Sequence, residues 1–570
     1  MKQKKLDFTQ KKFHSLLLTS TFTMVVECLI LLSDTVVVGH LIGEDGISGI
    51  NMVTPIFSVV AFVSMLIGMG TVYRFTHEMG RFNKDRADRL YGQGIILAVG
   101  MGVILFLIVT LGESMYFHFM GPSAEVLKWA KDYYRFFRFT VLLYPLYTYL
   151  AEMVYADGDE AACLASYVAQ IGGNIVLSIF LCMKMGTAGA SLGTLIGTIM
   201  SLLIVSTHFF KKKCALKFVP HFNLKDVVEV CTYSIVDAGL YLFWGILSMV
   251  MNKVFISQFG DHYLPVLSVL ISLIELTIIF DGIAEAVTPL FNLYNGEKNQ
   301  TGIRRLMRTA TRTCLVEGII YTVLLFVGAR MIPLLFDITD PELVRISMTA
   351  IRIFTPTAIL TALLFLYTSY YLMMEHIGPA FFIVAMKDLG FPVLFALILS
   401  HPFGMHGVWI AFLISPAAAL LLGILVSLKL YGRKKFPLFL DTEQPPTFIH
   451  SFTVVPEEII RVRDEVAEEL RALKINETSV TRIMLLIEEA YLAIREKNGS
   501  SSIISELSVI VRDEVQLVFK DNGEVFDLTK DEEAMTSFSG YVVSSLIDRV
   551  PVSQYLLTAS FNRSMFCFPK

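Results

Sequence analysis

Charge is what this chain has least of. Charged residues make up 17% of its 570 positions, against about 25% in an average soluble domain. Apolar residues reach 54%, and the deficit of charge is uneven. From Met1 to about Lys435, long apolar runs alternate with short loops; after Pro437 the texture is that of an ordinary soluble domain. Cysteine is also sparse. Cys28, Cys163, Cys182, Cys214, Cys231, Cys314 and Cys567 form no C-x-x-C pair, and most sit in apolar runs. That argues against a disulfide framework and a thiolate metal site, and makes the cysteines small buried residues. The basic start, MKQKKLDFTQKK, is followed by an apolar run without a clear small-residue cleavage site. It reads as a retained first span rather than a signal peptide.

A helix crosses the hydrocarbon core with about 20 apolar residues. Twelve segments qualify, at roughly 14–38, 50–73, 90–112, 134–156, 162–183, 187–209, 227–256, 263–290, 308–335, 345–373, 378–400 and 405–431. An even number puts both ends on one side. The loops GEDGISG, FGDHYLP, DITDPE and HPFGMH have no Lys or Arg. Alternate loops carry Arg81, Lys84, Arg86 and Arg89, then Lys211, Lys212, Lys213 and Lys217, then Lys298, Arg304 and Arg305. The exit from the last span carries Arg433, Lys434 and Lys435, and the one exception is Lys128 with Lys131 after the third span. Positive charge gathers on the cytoplasmic side. The expected product is a multi-pass protein of the cell inner membrane with both termini cytoplasmic.

Two openings repeat. Met185-Gly186-Thr187-Ala188-Gly189-Ala190 starts the sixth span, and Gly404-Met405-His406-Gly407-Val408-Trp409 starts the twelfth. Two six-span lobes, about 1–215 and 216–435, with a site between them, follow from such a duplication. A carboxylate at a helix centre costs roughly 2.5–3.5 kcal/mol on insertion scales, so each needs a reason. Glu27 and Asp34 share one side of span one, Asp237 lies in span seven, and Glu275, Asp281 and Glu285 lie in span eight. Glu317 lies in span nine, with Lys387 and Asp388 in span eleven. A cavity lined by such acids attracts cations and exchanges protons. Pairing with Arg135, Arg138 or Lys387, which would only lock helices together, is the competing reading.

Several of these stretches resemble the multidrug and toxic compound extrusion (MATE) family over residues 10–430. The first span ends LSDTVVVGHLIGEDGISGI, similar to that family's Asp-Thr-x-x-x-Gly exit. YADGDEAACLASYVAQIGGNIVLSIFLCMKMGTAGASLGT is similar to its spans five and six. Pro289-Leu290-Phe291-Asn292-Leu293-Tyr294-Asn295-Gly296 and FGMHGVWIAF resemble its exit from span eight and its start of span twelve. The resemblance implies an antiporter, driven by sodium or protons, that exports cationic or amphipathic small molecules. It places the coupling cation at Asp34, Asn174 and Thr194, while the intramembrane charges read on their own offer Glu27, Asp237, Glu275, Asp281 and Glu285 as substrate-cavity acids. A further family Asp falls on Ser178, which removes one carboxylate.

Beyond a linker at 436–451, with Pro437, Pro445 and Pro446, residues 452–570 read as a small two-layer α+β sandwich. Glu457–Leu473 and Glu477–Glu496 are amphipathic helices, and SELSVIVR and EVQLVFKD alternate as strands. Residues 450–570 hold 20 acidic and 13 basic residues, which argues against nucleic acid as a partner of this tail. Ile487-Glu488-Glu489-Ala490 and Asp521-Asn522-Gly523-Glu524-Val525-Phe526-Asp527 resemble the first two boxes of GHKL ATPases, nearest the anti-sigma-factor serine kinases. That resemblance makes Glu489, Asp521 and Gly523 a degenerate adenine-nucleotide site. Ala493 stands where a magnesium-holding Asn belongs, and Ser539-Gly540-Tyr541-Val542 replaces the glycine-rich lid. The expected function is therefore a secondary-active exporter, not an enzyme, with no required cofactor and a regulatory tail that meets a cytoplasmic protein. A lipid-linked-precursor flippase and a membrane receptor with a kinase-like output domain stay open.

Overall fold

A computed structural model describes residues 8–42, 44–120, 124–335, 338, 340–432, 446–499, 501–529, 538–547, 550, 552–558 and 561–570; within the first helix the side chains of 26–36 lie outside that description. The first lobe holds α1 (Phe8–Leu41), α2 (Glu44–Gly80), α3 (Lys84–Met120), α4 (Ala124–Ala156), α5 (Glu160–Met185) and α6 (Thr187–Ser206). The second holds α7 (Leu224–Phe259), α8 (Leu264–Glu275), α9 (Asp281–Gly296), α10 (Gln300–Gly328), α11 (Ile332–Leu335), α12 (Pro341–Phe354), α13 (Thr357–Met373), α14 (Ile377–Ala385), α15 (Phe391–Phe403) and α16 (Met405–Tyr431).

Nine helical stretches among the described residues are long and apolar enough to cross a membrane. The pair α12 and α13, bent by 47° at Thr355 and Pro356, makes a tenth. Helices α1 and α4, with 34 and 33 residues, have the length for the other two expected segments at 1.5 Å per residue. Helix α4 is less apolar because Lys128, Lys131, Asp132, Arg135 and Arg138 fill its first half. The eighth segment is not one helix. A 3-10 stretch, Leu276–Phe280, separates α8 from α9. The eleventh contains a π turn, Met386–Gly390, between α14 and α15. Such turns recur at functional sites. The ninth segment, expected at 308–335, starts at Gln300, because Arg304, Arg305 and Arg308 lie on the helix rather than in a loop.

The lobes meet along α1 and α2 on one side and α7 and α9 on the other. The core between them joins Phe13, Tyr73, Val236, Phe291 and Tyr370. The repeat is visible in the backbone. Gly186 has φ 64°, ψ −144° and Gly404 has φ 56°, ψ −140°, a region essentially reserved for glycine. Three residues on, a Cβ at Gly189 would sit 2.1 Å from Leu181 O, and one at Gly407 would sit 2.0 Å from Leu399 O. Both hairpins, α5–α6 and α15–α16, thus close on the same geometry eight residues apart.

The tail folds as β1 (Thr447–Thr453), α17 (Pro456–Ala472), α18 (Glu477–Asn498), β2 (Ile504–Val511), β3 (Glu514–Asp521), α19 (Phe538–Ile547), β4 (Val552–Thr558) and β5 (Phe561–Pro569). The antiparallel sheet runs β1-β2-β3-β5-β4. Strand β1 takes up residues that Pro445 and Pro446 suggested were linker. Alternation sends Leu507, Val509, Leu517, Phe519 and Phe566 to one face, where they pack on Ile459, Val462, Ile483, Ile487 and Val543 of the helices. The other face carries Glu506, Ser508, Lys520 and Arg563. It is not left to solvent: all four are buried against the ends of α2 and α9. The sandwich therefore has the membrane part as a third layer.

Candidate functional site

Helices α5 and α6 bring two of the three expected cation ligands together. Asn174 Nδ2 donates to Thr194 Oγ1 at 3.1 Å, and Ser178 Oγ donates to Asn174 Oδ1 at 3.0 Å. Ser178, where a carboxylate was missing from the pattern, also reaches Ala190 O at 3.0 Å and braces the hairpin. Helix α1 packs along α5. The side chains of Asp34 and Glu27 lie outside the described residues.

The acids of the second lobe separate into two groups. Asp237 of α7 and Asp281 at the start of α9 line a small cavity with Phe365, Thr368 and Lys387. Tyr73 of α2, in the first lobe, hydrogen-bonds Asp237. Two carboxylates in a low dielectric repel, and a bound cation relieves that repulsion. Lys387 lies in the π turn, 3.1 Å from Asp388 Oδ1 and 4.0 Å over the Phe365 ring. The pairing reading thus holds for Asp388. Glu285, one turn beyond Asp281, is buried near Tyr155 and Cys163 of the first lobe. Glu275 is exposed at the end of α8 and joins neither group.

Two features escaped the sequence reading. Glu152 of α4 lies in the field of Asp237, Tyr147 and Tyr167. Its lone position in the apolar run YLAEMVYA was the signal. Arg74 lies beyond the expected end of span two, but α2 continues to Gly80. Its guanidinium reaches Glu229 at 2.6 Å, Glu375 at 3.4 Å and Glu78 at 3.6 Å, and so ties the first lobe to α7 and the end of α13. The partners are distant in sequence, so only the fold reveals them.

In the tail, Glu489 and Ala493 lie on α18, and Asp521 ends β3. Asp521 Oδ1 accepts from Gly523 N and from Asn562 Nδ2, each at 2.9 Å. Asn562 Oδ1 in turn accepts from Phe526 N and Tyr555 OH. Burial pushes the Asp521 carboxyl up to about 6, opposed by those two hydrogen bonds. The folded tail then holds a proton that the unfolded chain has released between about pH 4 and pH 6. Stability should fall as pH rises through that window, by about 3 kcal/mol from two pKa units, and level off above it. Asp521→Asn keeps an acceptor and should flatten the dependence. Hydrogen exchange of the tail amides from pH 4 to 7 checks this; an unchanged slope in the variant would rule it out.

The family model MatE matches residues 20–180. The multidrug export protein MepA of Staphylococcus haemolyticus is 23% identical over 406 residues, 70% of this chain and 88% of that protein. MepA of Staphylococcus aureus is 22% identical over 418 residues, covering 71% and 90%. Among solved structures, a MOP superfamily transporter from Pyrococcus furiosus superposes with TM-score 0.68 at 19% identity, covering 77% of this chain and all of that one. A multidrug resistance MATE family transporter in its outward-facing conformation gives TM-score 0.68 at 20% identity, covering 77% and 99%. These likenesses in fold cover about the share of the chain that the two lobes occupy. With the family match over residues 20–180 and relatives aligned over nearly their whole length, the chain is similar to the multi-pass membrane transporters of the MATE family.

Proposed function

We propose that this transporter is a secondary-active antiporter of the cell inner membrane that exports cationic or amphipathic small molecules. Sodium or a proton is the coupling ion, held by Asp34 with Asn174 and Thr194. Substrate meets the cavity of Asp237 and Asp281, with Glu285 beside it. The observation that carries the reading is the charge of that cavity. Lys387 is paired with Asp388 next to it, so a deprotonated carboxylate at Asp237 or Asp281 gives the cavity a net negative charge that attracts a cation. The relatives named as multidrug export proteins support the same substrate class. A flippase for phosphate-bearing lipids needs an excess of cations in the cavity, and this arrangement favours it less.

The basic loops support a cytoplasmic side for both termini, and in this reading the tail is regulatory rather than catalytic. Ala493 offers a methyl group where magnesium needs an oxygen, so phosphoryl positioning lacks its metal anchor. Cells expressing the chain should accumulate several-fold less of a fluorescent organic cation than cells with empty vector. In the same cells, a cysteine at position 261 should react with an impermeant maleimide from outside and one at position 441 should not. Equal accumulation would count against export, and outside labelling of position 441 would reverse the orientation. Purified protein given ATP and magnesium should release no phosphate.

A further inference from the structure

The buried face of the tail sheet touches both lobes at once. Arg563 on β5 spans them alone. Its Nη1 and Nη2 donate to Met79 O at 2.8 Å and Gly80 O at 2.6 Å, at the end of α2 in the first lobe. Its Nε donates to Glu297 Oε1 at 2.8 Å, just past α9 in the second lobe. Glu506 on β2 does the same. It accepts from Thr9 Oγ1 of the first lobe at 2.8 Å and from Tyr294 OH of the second at 2.9 Å. Lys520 on β3 links the two carboxylates, at 2.9 Å from Glu297 and 3.1 Å from Glu506. The side chains of Glu297, Glu506, Lys520 and Arg563 are all 0% exposed, and their two positive and two negative charges balance.

The lobes are closed beneath this contact. A Cβ on Gly80 would lie 2.4 Å from Asn292 O, and one on Gly296 would lie 2.3 Å from Gly80 C. Asn292 Nδ2 donates to Thr76 Oγ1 at 2.8 Å across the same seam. Phe8 meets Phe561 edge to face, and Asn299 Nδ2 donates to Ser508 Oγ at 3.2 Å. If α2 and α9 parted here, Arg563 could not reach Gly80 and Glu297 together. The tail therefore binds the form closed at this face better than the open form. Differential affinity of that kind is what shifts a two-state equilibrium. Losing one partner of a buried ion pair costs far more than the pair contributes, so the contact is made whole or released whole.

We infer that the tail is an autoinhibitory clamp, which docks by its sheet face across the two lobes and holds the transporter shut at its basic face until it is released. The inference rests on the exporter reading only for its effect on flux; the docking itself is independent of what is transported. The partner that the clamp grips is the closed pair of lobes in its own chain.

The test uses full-length protein carrying Ser508→Cys as a reporter in the contact. With the wild-type charges, the reporter should resist a bulky maleimide in purified protein. Glu297→Lys places a third cation beside Lys520 and Arg563, and Arg563→Glu places a third anion beside Glu297 and Glu506. Either should raise the labelling rate at least tenfold and raise organic-cation flux several-fold in everted vesicles. Combining Glu297→Lys with Arg563→Glu should restore protection and slow flux again, which a variant that merely misfolds would not do. Rapid labelling with the wild-type charges would overturn the docking. Restored protection with flux unchanged throughout would overturn the clamp while leaving the exporter reading intact. Flux absent from every variant, with protection behaving as described, would sink the exporter reading and leave the docking standing.

Discussion

Asp34→Asn is expected to bring gradient-driven efflux down to background while the protein still folds and inserts. The substitution keeps volume and removes one negative charge. The polar group that α5 and α6 assemble, Asn174, Thr194 and Ser178, is neutral and hydrogen-bonded within itself. A hard cation there takes oxygen ligands, and an uncompensated positive charge inside the membrane is costly. An anion from the neighbouring helix α1 is what the proposed site needs. Ser178 stands where the family resemblance implies a second carboxylate, so the proposed site has little charge to spare. Efflux of an organic cation from everted vesicles, with expression matched by immunoblot, measures the effect. A variant that keeps its gradient-driven rate would remove Asp34 from the coupling site.

Gly189→Ala and Gly407→Ala should each destabilise the purified transporter by about 3 kcal/mol or more, at the upper end for overpacking. The added methyl carbon would meet a backbone carbonyl oxygen at 2.1 and 2.0 Å, and a carbonyl inside a packed hairpin has nowhere to go. The two losses should match, because the α5–α6 and α15–α16 hairpins share one geometry. Melting temperatures in detergent test both points. A change below about a degree in either variant, where overpacking of this size predicts several, would show that the hairpins relax. Unequal losses would weaken the structural repeat.

The sequence made the lobes legible because each span writes its own signal in about 20 adjacent residues. The repeat was legible for the same reason: Gly186 and Gly404 need a backbone conformation that other residues avoid, so the glycines stand out as a pattern. The tail's elements were equally local, and α17, α18, β2 and β3 fall within a few residues of the sequence reading. What was not legible depends on partners far along the chain. Alternation in β2 and β3 places Glu506 and Lys520 on the face away from the helices, and nothing local says that this face meets Glu297 and Thr9. Arg74 looked like a loop residue because apolar character ends before the helix does. Glu275 was grouped with Asp281 and Glu285 in one span, until the 3-10 stretch at Leu276–Phe280 put it on a separate helix. Lys387 and Asp388 were visible as charges, but their mutual pairing needed the π turn that sets them side by side.

The coupling of substrate movement to an ion gradient is tested most directly in proteoliposomes. The purified chain is reconstituted, a lipophilic organic cation is supplied on one side, and a sodium gradient, a pH gradient or neither is imposed. Movement of the organic cation against its own gradient should occur with one of the two ion gradients and stop when the matching ionophore dissipates it. Flux that is the same with and without either gradient would contradict the antiporter account.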